Sequence, residues 1–381
     1  MVDKLSINEI YDKNINFLIG SGASYGLFPT LALNIKGDWG EDQTVETLAT
    51  IFEHEKESSL YTLLFMHYYK ECIEPVLTFD LNTIKADQEK RKVTDNYEKF
   101  LDTLLVILQR RKNDEKTCNI FTTNYDGCFA HVADDMFKRG NVDFIVNDGA
   151  RGFSRRYLQA RNFNSFVSQT GVFERHRIAV PQINLIHVHG SAYWYKDGAN
   201  ILVDYSEIKG ERLIQGSIFE KLEGFSNVLS DKTKTISDLP ATILTNEEKD
   251  FFWGGYKKLP IVNPTKWKFH ETVFEEHYYQ MLRLLSYELE KPNAVFVTFG
   301  FSFADEHILN LVRRSLSNPS LQVFVCCFNE SERASMQSLF KIYRNVQFVT
   351  VEGFLDFTAF NDEVFTFKEK PIVALVPGQD A

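Results

Sequence analysis

The chain has 381 residues, of which 44% are hydrophobic and 25% are charged, and these globular proportions exclude a disordered or fibrous protein. Its 42 Lys and Arg against 52 Asp and Glu give a net charge of -10, which argues against nucleic-acid binding over the whole surface. The 33 Phe residues predict heavy aromatic packing or large contact surfaces.

Cysteine usage and the apolar runs indicate the compartment. The five cysteines are never spaced Cys-x-x-Cys, and Cys118 and Cys326 lie in apolar runs that predict buried, reduced thiols. We therefore expect no zinc ribbon and no zinc. The first residues contain no apolar signal core, and no run approaches the length needed to cross a bilayer. A cytoplasmic protein without membrane contact is expected.

The first half of the chain predicts two buried strands separated by a helical region. Residues 15–19 form a short apolar run that ends in Gly-Ser-Gly-Ala-Ser, as buried strands of parallel sheets do. From about 43 to 111 the apolar spacing is helical, and the polar stretch 82–96 is interpreted as an exposed link between helices. A second buried strand, 118–121, is followed by Thr-Thr-Asn-Tyr-Asp, in which Asp126 is placed to cap the next helix.

The second half repeats this pattern. Strands are predicted at 142–146, 183–188, 294–299, 321–328 and 346–351, and helices at 269–289 and 305–316. Residues 195–265 have mixed polarity and turn signals, and we interpret them as an inserted, partly helical module. Strand, small-residue turn, helix and strand thus recur along the chain. This predicts an α/β fold, with a Rossmann-like parallel sheet, helices on both faces and helical insertions.

Every short polar motif follows the end of a predicted strand, where open α/β sheets bind their ligands. These motifs are residues 20–24, 123–126, 189–191, 300–302 and 328–329. The first, Gly-Ser-Gly-Ala-Ser, offers backbone N–H groups and a hydroxyl to a phosphate, although a tight strand-to-helix turn explains it equally well. It lacks the third glycine of G-x-G-x-x-G and the G-K-[ST] ending of an ATP-hydrolysing P-loop.

Candidate catalytic side chains lie in the next two motifs. Asn124 supplies an amide that suits ribose hydroxyls or a positioned water, whereas helix capping explains Asp126 fully. His187 and His189 fall on one strand face, but no third ligand for a metal is identifiable from the sequence. We prefer one histidine as a base near neutral pH and the other as a structural residue, so no metal is expected.

Taken in chain order, these motifs resemble those of the sirtuins. Residues 20–24 resemble the sirtuin turn G-A-G-x-S, and Thr-Thr-Asn-Tyr-Asp at 122–126 resembles T-Q-N-x-D. The His-Gly pair at 189–190 matches the His-Gly that carries the sirtuin base. Gly-Phe-Ser at 300–302 and Phe-Asn at 328–329 are similar to the later G-T/S-S turn and the closing Ile-Asn. The particular forms are most similar to bacterial sirtuin-like NAD-hydrolysing proteins of antiphage defence.

The resemblance implies an NAD+ site and hydrolysis of NAD+ to nicotinamide and ADP-ribose. Asn124 would orient the ribose and an attacking water, His189 would act as the base, and Asp126 would support both. The residues implied to bind NAD+ are Gly20, Ser21, Gly22, Ala23, Ser24, Thr123, Gly300, Ser302 and Asn329. The turn at 20–24 would cradle the diphosphate, while Ser302 and Asn329 would hold the adenosine side.

The chain departs from the sirtuin deacylases after His189. No cysteine lies between Cys128 and Cys326, so the four zinc cysteines and the module that helps to form an acetyl-lysine cleft are missing. Three other functions stay open at this point. They are a protein deacylase or ADP-ribosyltransferase, a non-catalytic sensor of an NAD-derived nucleotide, and a DNA-processing subunit.

The resemblance also implies a domain plan and partners. Residues 1–351 would be one NAD-binding catalytic domain with insertions at about 41–112 and 195–265, and the tail 352–381 would be an interaction segment. An effector that depletes NAD+ implies control by assembly, so we expect a homo-oligomer and a HerA-like hexameric ATPase partner. The arginine strip Arg151–Arg177, interleaved with aromatic residues, predicts a subunit contact, an NAD-phosphate clamp or nucleic-acid binding, the last through the strip or the partner.

Overall fold

Seven parallel strands form the central sheet of the structure, a computed structural model that describes residues 5–52, 58–112, 116–140, 143–170, 177–206, 213–264 and 272–367. In chain order the strands are β1 (Asn14–Ile19), β2 (Ala32–Lys36), β3 (Asp42–Thr44), β4 (Thr117–Thr122), β5 (Ile145–Asn147), β6 (Ala150–Arg151), β7 (Tyr157–Leu158), β8 (Ser168–Thr170), β9 (Arg177–Ala179), β10 (Gln182–His187), β11 (Trp194–Asp197), β12 (Asn200–Val203), β13 (Ala294–Phe299), β14 (Gln322–Cys326) and β15 (Val346–Val349). The order in the central sheet is β15-β14-β13-β1-β4-β10-β5. Without the edge strand β5 this is the doubly wound order 3-2-1-4-5-6, whose ligand crevice opens between β1 and β13.

Helices cover both faces of this sheet. They are α1 (Ile7–Ile10), α2 (Val45–Ile51), α3 (Ser59–Tyr68), α4 (Glu74–Leu77), α5 (Leu81–Ile84), α6 (Gln88–Arg110), α7 (Cys128–Arg139), α8 (Ser217–Leu229), α9 (Asn246–Tyr256), α10 (Thr272–Glu290), α11 (Glu306–Ser315), α12 (Glu330–Leu339) and α13 (Phe357–Ala359). Neighbouring side chains of β1 belong to two different cores. Phe17 packs on Phe100 of α6 with ring centroids 4.9 Å apart, whereas Leu18 joins the core that holds Met281 of α10 and Ile308 of α11. The predicted α/β fold with a parallel sheet is confirmed.

Most predicted elements are present close to their expected bounds. The strands predicted at 15–19, 118–121, 183–188, 294–299, 321–328 and 346–351 are β1, β4, β10, β13, β14 and β15, and the helix predicted at 305–316 is α11. The strand predicted at 142–146 is observed as β5, although Val142 lies outside the described residues. The described part of the next predicted helix begins at Thr272, so its expected start at Phe269 also lies outside them.

The prediction that residues 82–96 form an exposed link is wrong. α6 already begins after Asp87, because Asp87 Oδ1 accepts hydrogen bonds from the N–H groups of Glu89 at 3.1 Å and Lys90 at 3.3 Å. The buried stripe of α6 starts at Val93. Polar residues on the solvent side of its first turns conceal this stripe in the sequence.

α3, in the segment before β4, packs against α8 and α9, in the segment before β13. Trp253 of α9 stacks on Tyr61 of α3 with ring centroids 5.9 Å apart, and its Nε1 donates to Thr62 Oγ1 at 3.2 Å. α8 packs on α3 as well. The two segments interpreted as separate insertions therefore contribute to one helical layer, and the second of them starts with the hairpin of β11 and β12.

The chain beyond residue 351 enters the core before the described part ends. Phe360 packs on Phe299 of β13 with ring centroids 4.6 Å apart, and Phe365 contacts both Phe17 and Phe100. Residues 368–381 lie outside the described residues, so an interaction through the tail stays a prediction.

Two expectations from the sequence concern thiols and membranes. Cys118 and Cys326 are buried free thiols, as predicted, and burial raises the pKa of Cys118 to about 12. Within the described ranges, no helix combines the length and the apolar character needed to span a bilayer.

His67 ties the two groups of inserted helices together. It is buried in α3, and its Nδ1 lies 2.8 Å from Ser226 Oγ of α8. Burial lowers the pKa of His67 from 6.5 to about 4. The imidazole is therefore neutral in the folded protein at neutral pH, whereas the unfolded chain takes up its proton near pH 6.5.

We expect this difference to make the free energy of unfolding fall as the pH drops from 6.5 towards 4. At ~1.4 kcal/mol per pH unit, His67 alone should account for ~2 kcal/mol between pH 6.5 and pH 5. Urea unfolding at both pH values measures this loss in the wild type and in His67→Asn. The variant serves as the reference, since Asn has no titrating group. An equal loss of stability in the two proteins would contradict the assignment.

Candidate functional site

The turns after β1 and β13 touch at the crevice of the sheet. The Gly22 N–H donates to the Gly300 carbonyl at 3.1 Å, and a Cβ on Gly22 would lie 2.6 Å from Gly300 Cα. Gly300 has φ of 63°, and a Cβ on it would lie 2.8 Å from the backbone nitrogen of Ala23. Glycine is therefore required at both positions, because neither has room for a Cβ. Gly300 also needs glycine for its positive φ.

A cavity of about 1140 Å³ opens over these two turns. Most of the residues predicted to form the site line it, namely Ser21, Gly22, Ala23, Ser24, Thr123, Asn124, Asp126, His189, Gly300, Ser302 and Asn329. Gly20 is buried and lies against the backbone of the second turn. Four strand ends, those of β1, β4, β13 and β14, together with the segment after β10, thus bring the predicted residues to one place.

Ser24 joins three side chains at the base of this cavity. Its Oγ donates to Asp126 Oδ2 at 2.7 Å and accepts from Asn124 Nδ2 at 3.1 Å. Because its single proton goes to the carboxylate, the Tyr97 hydroxyl 2.7 Å away is the donor in the third bond. Asp126 Oδ1 accepts from the Cys128 N–H at 3.0 Å, so the predicted link to the start of α7 is present too. The N-cap of α7 is Gly127 and not Asp126 as predicted, but Asp126 binds the first N–H of the helix and also anchors the hydroxyl that holds Asn124.

The Asn124 side chain has one satisfied end and one open end. Its Nδ2 is held by Ser24, whereas its Oδ1 is buried with no hydrogen-bond partner in the described structure. The Asn124 backbone carbonyl accepts from His187 Nδ1 at 3.0 Å, and burial lowers the pKa of His187. His187 is thus a neutral residue that supports the loop. A buried acceptor without a partner beside a cavity marks the place of a ligand hydroxyl or a water.

His189 forms a buried pair with Asp305. Its Nε2 lies 3.0 Å from Asp305 Oδ2, and the two residues are 9% and 7% exposed. The other carboxylate oxygen accepts from the N–H groups of His307 at 2.9 Å and Ile308 at 3.1 Å, and so caps α11. Asp305 therefore starts a helix and orients the imidazole at the same time.

Asp305 is the site residue that sequence reasoning missed. The cap that it provides is evident from the sequence and accounts for one carboxylate oxygen only. Its partner His189 lies 116 positions away, in a segment that follows a different strand. The available signal was its place three residues after Ser302, just beyond a motif already assigned to the crevice.

The turn after β1 offers a phosphate fewer amides than its sequence suggests. The N–H groups of Gly20, Gly22 and Ala23 donate to the carbonyls of Phe299, Gly300 and Gly20 at 2.9, 3.1 and 3.1 Å. Three amides of the predicted cradle are thus engaged inside the protein. The glycines serve mainly to let the two turns approach each other.

The far end of the cavity lies beside α12. Asn329 Oδ1 accepts from the Glu332 N–H at 2.9 Å and caps that helix, which leaves the Asn329 amide group as a donor. The exposed rings of Phe328 and Phe354 stack beside it, with centroids 5.0 Å apart and planes 16° apart. A flat aromatic face next to an amide suits a base and its ribose.

The described part of the arginine strip is largely paired with acids and neighbouring polar groups. Arg156 Nη2 lies 2.7 Å from Asp148 Oδ1, and Arg155 Nη1 lies 3.8 Å from Asp197 Oδ2. Arg175 lies outside the described residues. Nucleic-acid binding by this strip stays a prediction.

Comparisons with known proteins do not assign the chain to a family. No protein-family model matches the chain, and a search of curated proteins finds no match. Among the residues that the structure describes, no group of three or more His, Cys, Asp and Glu side chains is arranged to hold a metal ion.

Gly300→Ala and Gly140→Ala form a matched pair that tests the contact between the turns. Both glycines have positive φ, 63° and 67°, but an added Cβ meets nothing within 4 Å at Gly140. We expect Gly140→Ala to cost about 1 kcal/mol through backbone strain. Gly300→Ala should cost at least ~2 kcal/mol more, because the turns must separate. Urea unfolding measures both, and equal losses would show that the close approach contributes nothing.

Proposed function

We propose that the chain is an NAD+ hydrolase that releases nicotinamide and ADP-ribose. The observation that carries the proposal is that Asn124, Asp126 and His189 line one cavity at the crevice of a doubly wound sheet. Their motifs resemble those of sirtuins in chain order. The cavity of about 1140 Å³ exceeds the roughly 300–1,000 Å³ of most small-molecule sites and has room for a dinucleotide.

The departure of nicotinamide requires no acid catalysis. Nicotinamide is cationic while it is attached to the ribose and leaves as a neutral molecule, so no general acid is needed. The site must hold the ribose, stabilise positive charge at its anomeric carbon and position a nucleophile. The partnerless Oδ1 of Asn124 accepts a hydrogen bond from a ribose hydroxyl or from the attacking water.

His189 acts as the base in this proposal. Because a carboxylate only accepts hydrogen bonds, His189 Nε2 donates its N–H to Asp305, and the base that the reaction requires is then Nδ1. Nδ1 takes the proton of the water or ribose hydroxyl as the new C–O bond forms. Asp305 stabilises the resulting imidazolium, while Asp126 and Ser24 keep Asn124 in place.

We expect Asn124→Ala and His189→Ala each to lower the rate of NAD+ loss by roughly 100- to 10,000-fold, the usual effect of removing a positioned polar or basic group. Nicotinamide release by purified protein measures the rate. Asn34→Ala and His277→Ala, at positions outside the cavity lining, are the matched controls and should retain full turnover. Full turnover in either site variant would exclude the mechanism.

Asp305→Asn separates the two tasks of Asp305. Asparagine caps helices as well as aspartate, so the free energy of unfolding should change by less than about 1 kcal/mol. Turnover should fall roughly 100-fold at unchanged affinity for ADP-ribose, because only the imidazole loses its carboxylate. Asp87→Asn is the control, since Asp87 caps α6 without touching a histidine. A loss of ADP-ribose affinity equal to the loss of turnover would make Asp305 a structural residue only.

The biological setting is proposed from the resemblance. A hydrolase of this kind would act as an effector of antiphage defence that depletes cellular NAD+, under control of homo-oligomer assembly and a HerA-like ATPase partner. NAD+ loss with the chain alone and with the product of a neighbouring gene tests this control. A monomeric chain with full activity by itself would contradict it.

Other outcomes identify the alternatives. Binding of NAD+ or ADP-ribose without turnover under any condition would favour a sensor. Turnover only with an acyl-peptide would favour a deacylase or a transferase. Binding of DNA that is lost at high salt and on changing Arg155 and Arg156 would favour a DNA-processing subunit.

A further inference from the structure

The charges around the cavity are unfavourable for a dinucleotide. Six carboxylates line it, from Glu46, Glu89, Asp126, Asp305, Glu332 and Asp356. A diphosphate carries two negative charges at neutral pH. The engaged amides of Gly20, Gly22 and Ala23 cannot balance them, because each already donates to a carbonyl.

One Lys and no Arg belong to the described lining, and that lysine is Lys92. It lies in the second turn of α6 and is exposed, and its ammonium forms no ion pair with any residue that the structure describes. Val93, the next residue, faces Gly26, since a Cβ on Gly26 would lie 3.5 Å from Val93 Cγ2. Gly26 comes two residues after Ser24, so this turn of α6 stands beside the end of the turn after β1.

Several residues of α6 face the same way. Glu89, Lys92, Val93 and Asn96 all line the cavity, and their spacing of three and four places them on one side of the helix. The Tyr97 hydroxyl of the same helix lies 2.7 Å from Ser24 Oγ. This buried hydrogen bond therefore fixes the position of α6 relative to the turn after β1.

We infer that Lys92 binds the diphosphate of the dinucleotide, an inference that rests on the proposed function and adds a substrate-recognising residue from outside the strand-end motifs. The ammonium would supply the charge-assisted hydrogen bonds that the engaged turn amides do not. It would also distinguish dinucleotides from nucleosides, which have no phosphate.

Calorimetric titration of the full chain with ADP-ribose and with adenosine tests this role. Lys92→Gln should bind ADP-ribose roughly tenfold more weakly and adenosine unchanged, while Lys92→Arg should stay within about threefold of the wild type for both. Lys90→Gln is the matched control, because Lys90 is an exposed lysine of the same helix that does not line the cavity. It should bind both ligands as the wild type does.

The failures of the two proposals are distinguishable. If the wild type binds ADP-ribose and Lys92→Gln binds it equally well, the assignment of Lys92 is wrong and the hydrolase proposal is untouched. A matching loss of adenosine affinity in Lys92→Gln would also overturn it, because the substitution would then act on the cavity wall. A wild type that binds neither NAD+ nor ADP-ribose would overturn the proposed function and this inference with it.

Discussion

The site depends on the contact between two backbone turns at the crevice of the sheet. β1 and β13 are parallel neighbours, and their turns meet with the Gly22 N–H on the Gly300 carbonyl. A side chain on Gly22 or Gly300 would force the turns apart, because the nearest atoms belong to backbone and cannot rotate away. Ser24 is the last residue of the first turn, and Asp305 follows the second. The contact therefore helps to position Ser24 and Asp305, each of which holds a side chain of the site, Asn124 at 3.1 Å and His189 at 3.0 Å.

Buried polar groups transmit that geometry to the reacting side chains. Asp126 and Asp305 each use one carboxylate oxygen on the N–H groups at the start of a helix and the other on a side chain of the site. Both helices, α7 and α11, pack in the cores on the sheet, and this packing fixes the positions of the two carboxylates. A buried carboxylate is stable only with such partners, since burial without them costs several kcal/mol. The same bonds that satisfy these acids orient Asn124, through Ser24, and His189.

The strands and the crevice were predictable, because buried parallel strands are short apolar runs and small residues must follow them where turns are tight. The motif residues could be assigned to one edge of the sheet on that ground alone. The role of Asp305 toward His189 was not predictable, since their approach depends on how far each loop extends beyond its strand. The start of α6 was missed for another reason. Its first turns are solvated on one side, and the polar residues there outnumber the few that are buried.

α6 shows that an inserted helix can form part of a site whose other residues follow the ends of strands. Its buried stripe, with Tyr97 and Phe100, packs against the sheet and lies under the turn after β1. Its neighbouring side, at Lys92 and Asn96, forms a wall of the cavity. Consecutive residues of a helix are about 100° apart around its axis, so the buried side and the cavity side of α6 turn together. The packing that holds α6 on the core therefore determines which of its polar side chains face the ligand.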